Sequence, residues 1–149
     1  MTRTTLFSLF CIGTATMSSA EVALSLTPAA EQDALTAHKE CLEGLLQIVV
    51  NINSHLATAQ DEASAEQAGE AIHEIVAKLD AQSVAYTQLP QLTAEQAEEI
   101  ALWFTKHQAP MEEMVQHIER LEAEDPAFFG SQTLISSVIL VGGALGGAQ

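Results

Sequence analysis

The sequence predicts an all-α protein, an antiparallel bundle of three long helices followed by a short apolar C-terminal helix. Apolar residues recur at alternating steps of three and four over three long stretches, and helix start and stop signals bound each stretch. A three-four step keeps one stripe of a helix turned toward its partners, whereas a strand would alternate every second residue. The connections between the stretches are short, which makes consecutive helices antiparallel neighbours.

The chain opens with the features of a removable export signal. Arg3 is the charge of a short n-region, residues 6–12 are apolar, and Ser18, Ser19 and Ala20 supply small residues before Glu21. This apolar run is far shorter than the roughly 20 residues a bilayer crossing needs. Cys11 follows the bulky Phe10, where a lipid-attachment site wants a small residue. Residues 1–20 are therefore read as a cleavable signal peptide and residues 21–149 as one helical domain, a length suited to a single core.

The first helix is expected to start at Thr27-Pro28, a capping hydroxyl before a proline suited to the first turn, and to run to about Thr58. Its stripe is Leu35, His38, Leu42, Leu45, Val49, Ile52 and Leu56. A polar turn follows at residues 60–63. Ser64 with Gln67 reads as a capping box for a second helix that carries Ile72, Ile75 and Leu79 and stops at Pro90. Thr93 with Gln96 is a second such box, opening a third helix with Ile100, Phe104, His107, Met111, Met114 and Ile118 on its stripe. Pro110 falls inside that helix and removes a backbone donor, but the stripe keeps its phase, so one kinked helix is expected. Asp125-Pro126 ends it and Phe128-Phe129-Gly130 turns the chain. Residues 134–145 then form an apolar segment expected to pack as a fourth helix covering the extra apolar face of the first helix, at Leu46, Ile48 and Val50. The competing reading of this tail is membrane or oligomer contact, since its glycines suit close helix packing.

The net charge is −15. Removing residues 1–20 takes away Arg3 and no acid. Lys39, Lys78, Lys106 and Arg120 then face 20 acidic residues, for a net charge of −16. Nucleic-acid binding, which needs clustered cations on phosphates, is disfavoured, and so are anionic lipid headgroups. Cys41 is the one cysteine left after the signal, so no internal disulfide is available and the core alone holds the domain.

No residue type in this chain sits in a catalytic pattern: there is no HExxH and no glycine-rich strand-to-helix loop. Glu70 and His73 have the ExxH spacing of di-iron bundles, but the burial of Ile72 and Ile75 turns them toward solvent, and no second ExxH exists. Glu113 and His117 lie one turn apart and are expected to pair on a solvated face, while His55 suits the negative end of the first helix. His38 and His107 occupy stripe positions. Antiparallel pairing sets His38 beside Tyr86 and stacks Leu45 with Leu79 and His107. This leaves the two histidines roughly 10 Å apart along the helices, too far to share one iron.

The run at residues 61–68 between two helices, with the late turn at residues 125–130, is similar to that of small exported bacterial proteins of three helices plus a short tail. The resemblance spans roughly residues 30–141 and implies a helical architecture and an envelope location, with no site residues. The expectation is an exported, non-enzymatic helical-bundle protein of the cell envelope with a structural or macromolecule-binding role. Its partner would be an unidentified protein or envelope component of basic character, with no nucleic acid, no cofactor and no transmembrane span in the mature chain. Self-association through the apolar tail is a further expectation. The alternative is a periplasmic haem or metal carrier of the four-helix-bundle type, with His38, His107, Met111 and Met114 as the ligands to suspect.

Overall fold

The computed structural model describes the backbone of residues 28–146 and the side chains of residues 32–146; the segment expected to be an export signal, with Arg3 and Cys11, lies outside the described residues. Among the described residues every regular element is helical: α1 (Pro28–Leu56), α2 (Glu62–Thr87), α3 (Ala94–His107), α4 (Ala109–Glu124) and α5 (Gln132–Gly146), with a 3-10 turn at Phe128–Gly130.

Two boundaries differ from the sequence reading. The expected kinked third helix is two helices, because Gln108, at φ −75° and ψ 0°, closes α3 and opens α4. Pro110 has no N–H to continue the α3 ladder, so the first turn of α4 starts afresh on the Gln108 carbonyl, which accepts from Met111 N at 2.8 Å and Glu112 N at 3.2 Å. Among the described residues there are thus two long helices and three of 14 to 16 residues, rather than three long and one short. The second difference is at the start of α2. The N-cap is Asp61, whose carboxylate accepts from Ser64 N at 2.8 Å, while Ser64 Oγ accepts from Asp61 N at 3.1 Å. The reciprocal box therefore begins α2 at Glu62, ahead of the Ser64–Gln67 pair. At α3 the Thr93–Gln96 box forms as expected.

Inter-helix contacts fix the directions. The His38 and Tyr86 rings meet edge-to-face at 5.3 Å between centroids, and Gln82 Nε2 donates to the Cys41 carbonyl at 2.9 Å, so α2 runs back along α1. Lys39 Nζ donates to Glu99 at 2.6 Å and Asn53 Nδ2 to the Pro110 carbonyl at 2.8 Å, which places α3 and then α4 along another side of α1. Lys39, Leu46 and Asn53 lie seven residues apart, hence on one line of α1, so Leu46 faces the α3–α4 side. α4 is fastened at its other end by Arg120, whose Nη2 donates to the Leu56 carbonyl at 2.9 Å, a cation on the negative terminus of α1.

The C-terminal helix does pack, but against α2 rather than over α1 as expected. Gly69 decides this. A Cβ at that position would lie 2.5 Å from Leu134 N and 2.8 Å from Leu134 Cα, so only the missing side chain admits the α5 backbone. Ser137 Oγ then donates to the Gly69 carbonyl at 2.8 Å in a buried setting, and Ser131 and Thr133 donate to Glu66 one turn earlier. α2 therefore lies between α1 and α5, and α1 between α2 and α4.

The contiguous core joins Val49, Ile52 and Leu56 of α1, Ala65, Ala68 and Ile72 of α2, Met114 and Leu121 of α4, Leu134 and Val141 of α5, and Phe128. Phe128, Phe129 and Gly130 turn the chain with φ of 50°, 57° and 81°. A left-handed backbone costs a non-glycine residue roughly 1–2 kcal/mol. Burying the Phe128 ring returns about as much, roughly 1.5–3 kcal/mol.

Two glycine substitutions separate backbone contact from side-chain contact. Gly69→Ala forces a methyl into the α5 backbone and is expected to destabilise the fold by at least about 1–3 kcal/mol in urea denaturation. Gly44→Ala meets the side-chain end of Gln82, at 2.8 Å, and displaces its hydrogen bond to the Cys41 carbonyl, worth about 1 kcal/mol, but gains helix propensity of about 1 kcal/mol, so it is expected to be near neutral. Equal losses at both sites would contradict the close approach of α5.

Candidate functional site

His38, Cys41 and Tyr86, three of the residues named from the sequence, gather where the N-terminal half of α1 meets the C-terminal half of α2. His38 is 6% exposed. Its Nδ1 lies 2.9 Å from the Ala34 carbonyl; that oxygen only accepts, so Nδ1 carries the proton. The Tyr86 ring stands at 83° to the imidazole. One turn on, Cys41 is half-buried, with Gln82 Nε2 at 3.3 Å from its Sγ and the Gln82 carbonyl at 3.8 Å. Burial pushes the Cys41 thiol up, partly offset by the hydrogen bond from Gln82. Tyr86 is also pushed up, by burial first and by the neighbouring Cys41 second. Both groups are thus held neutral, and His38, Cys41, Gln82 and Tyr86 form a polar seam between two helices. The expected placement of His38 beside Tyr86 is what the structure has.

His107 does not share that seam. It is exposed, stacked on Trp103 at 4.2 Å with Nδ1 toward the Trp103 carbonyl at 2.7 Å. The expected inward position fails because α3 ends at His107 and the break at Gln108 interrupts the helical phase. Met114 is buried in the contiguous core and Met111 packs against it, as apolar fillers. His38, His107, Met111 and Met114 therefore do not converge. Glu70 and His73 both face solvent. Glu113 lies 3.6 Å from His117 Nε2, on an exposed edge. Among the described residues no group of three His, Cys, Asp or Glu side chains is placed to hold a metal ion.

A second cluster, which the sequence reading did not single out, lines an open depression of about 490 Å³ between the α2 N-terminus and the turn into α5: Asp61, Glu62, Glu66, Gly130 and Ser131. Two of its carboxylates, Asp61 and Glu66, are committed to the fold. Asp61 caps α2, and its carboxyl is held below the usual range by hydrogen bonds from Ser64, side chain first and backbone second. Glu66 accepts from Thr133 and from Ser131 Oγ at 2.7 Å, and the Thr133 bond first and the Ser131 bond second hold its carboxyl low. The sequence signal was available in hindsight: Ser131 and Thr133 flank the start of an apolar helix that carries no charge of its own.

Two predictions follow from these groups. A carboxylate with a depressed folded pKa contributes stability above its ordinary value of 4.5, and that stability is lost as pH falls through the lower folded value. Glu66→Gln is expected to make thermal stability less steeply dependent on pH in that acid range, measured by scanning calorimetry; an unchanged slope would remove Glu66 from the account. For Cys41, alkylation at neutral pH followed by peptide mass is expected to run roughly tenfold or more slower in the folded chain than in urea. Equal rates would contradict a shielded thiol.

Comparison with known protein families, with characterised proteins and with solved structures finds no match to this chain, so its function has to be read from the chemistry its own residues carry.

Proposed function

We propose that the chain is an exported, non-enzymatic antiparallel helical bundle that acts in the cell envelope by binding another macromolecule or by a structural role. The observation that carries this reading is the acidic exterior. Twenty acidic residues face five fixed cations in the whole chain, and two of those cations, Lys39 and Arg120, are taken up by Glu99 and by Glu124 with the α1 terminus. Exposed carboxylates on α2, α3 and α4, such as Glu70, Glu74, Glu98, Glu119 and Glu122, leave these faces predominantly negative, with Lys78 and Lys106 as exposed cations among them. Such a field raises the encounter rate with a basic partner and weakens as salt screens it. The export part of the reading rests on Arg3, the apolar run at residues 6–12 and the small residues before Glu21. In the acidic depression Asp61 and Glu66 are already held by hydrogen bonds within the fold, and in the polar seam Gln82 holds Cys41, which suits a chain that recognises through its surface.

Native mass spectrometry of the untagged full chain expressed in a Gram-negative bacterium tests both parts. The expected result is a periplasmic species shortened by residues 1–20 and carrying no added mass. Retention of Arg3 in a cytoplasmic species would contradict export. Added mass from haem or a metal ion would contradict the reading and favour the carrier alternative, with His38, His107, Met111 and Met114 as the first substitutions.

A further inference from the structure

We propose that α3 is a hinged strap, opening from α1 while α1, α2, α4 and α5 stay closed. The inference is independent of the envelope role and rests on how unevenly α3 is held. Among its fourteen residues Ile100 is the buried one, and Leu102 is 57% exposed. Ile100, Leu42 and Leu46 are buried but fall outside the contiguous core that joins α1, α2, α4 and α5. α3 packs chiefly on α1, and its ion pair there, Lys39 with Glu99, is partly solvated on both sides. Exposed pairs of this kind hold weakly.

Each end of α3 is built to bend. Residues 88–93, with Pro90, form a non-helical connection from α2. At the other end Gln108 makes no side-chain cap, and Pro110 has no N–H to offer the Lys106 carbonyl. Immediately beyond that break the structure is fixed again. Asn53, which is buried, donates to the Pro110 carbonyl although its own Oδ1 is left without a partner, and Arg120 fastens the far end of α4 to Leu56. On the other side α2 is fastened to α1 through the Gln82–Cys41 hydrogen bond. α3 is thus a lightly held segment between two anchored ones, the condition for sub-global opening. Opening exposes Ile100 on α3 and the line of α1 that carries Leu46; closure covers them.

Hydrogen exchange of the full chain, read by peptide mass, tests this. Amides of residues 98–107 are expected to exchange roughly tenfold or more faster than those of residues 114–124 and 66–79. Equal protection in the three segments would overturn the proposal. Ile100→Ala is expected to speed exchange in residues 98–107 alone; acceleration across α2 and α4 would show that α3 belongs to the cooperative core, and would also overturn it. Pro110→Ala restores the N–H and allows one continuous helix, and is expected to slow exchange in residues 98–107 several-fold. No slowing there would remove the hinge at Gln108.

Discussion

α1 presents Leu45, Val49 and Ile52 to the core and, along a second line, Lys39, Leu46 and Asn53 to α3 and α4, so it has to be covered on two sides at once. A helix with one apolar stripe is satisfied by one layer of neighbours; a helix with two lines needs a neighbour on each. The rest of the chain meets that demand in order. α2 takes one side through a tight connection, and α3 and α4 take the other. α5, arriving after the Phe128–Gly130 turn, finds α1 already covered and docks on α2. The depth of that last contact is set by Gly69, where α5 backbone occupies the space of a side chain.

The covering is uneven. Around the C-terminal half of α1 the chain builds an apolar core from four helices and the Phe128 turn, with Arg120 closing the α1 terminus. Around the N-terminal half it uses a buried histidine, a shielded thiol, a glutamine and a solvated ion pair. Hydrogen bonds of this kind contribute about 1 kcal/mol each once made, and leaving one unmade costs more. That end is specific in geometry but thin in apolar area. The outward side of α5, with Ile139 67% exposed in a helix without charges, stands out from an otherwise acidic exterior.

The helical class, the Thr93 box, the pairing of His38 with Tyr86 and the solvent-facing Glu70 and His73 were legible from spacing alone, because each depends on residues within one helix or across one short turn. What was not legible depended on competition. Ser64 fits a box with Gln67 as well as one with Asp61, and the aspartate, the stronger acceptor, takes the cap. The stripe through His107 to Met111 looks continuous in sequence. The structure breaks at Gln108 because Pro110 has no N–H for the Lys106 carbonyl, and Asn53, far away in sequence, then fastens the Pro110 carbonyl to α1. The docking of α5 on α2 hung on a small residue inside a helix and on Ser137, a pairing that periodicity does not reveal. Glu66 is a similar case: its role follows from hydroxyls 65 and 67 residues away.

Trp103 is the single tryptophan of the chain and sits on α3, stacked against His107, so its fluorescence reports the thin end of the fold while far-UV circular dichroism reports all five helices. Urea denaturation followed by both probes is the most direct measurement of the unevenness. A tryptophan transition completed at lower urea than the loss of helix is the result this account predicts. Coincident transitions with the same slope would show one cooperative unit and contradict it.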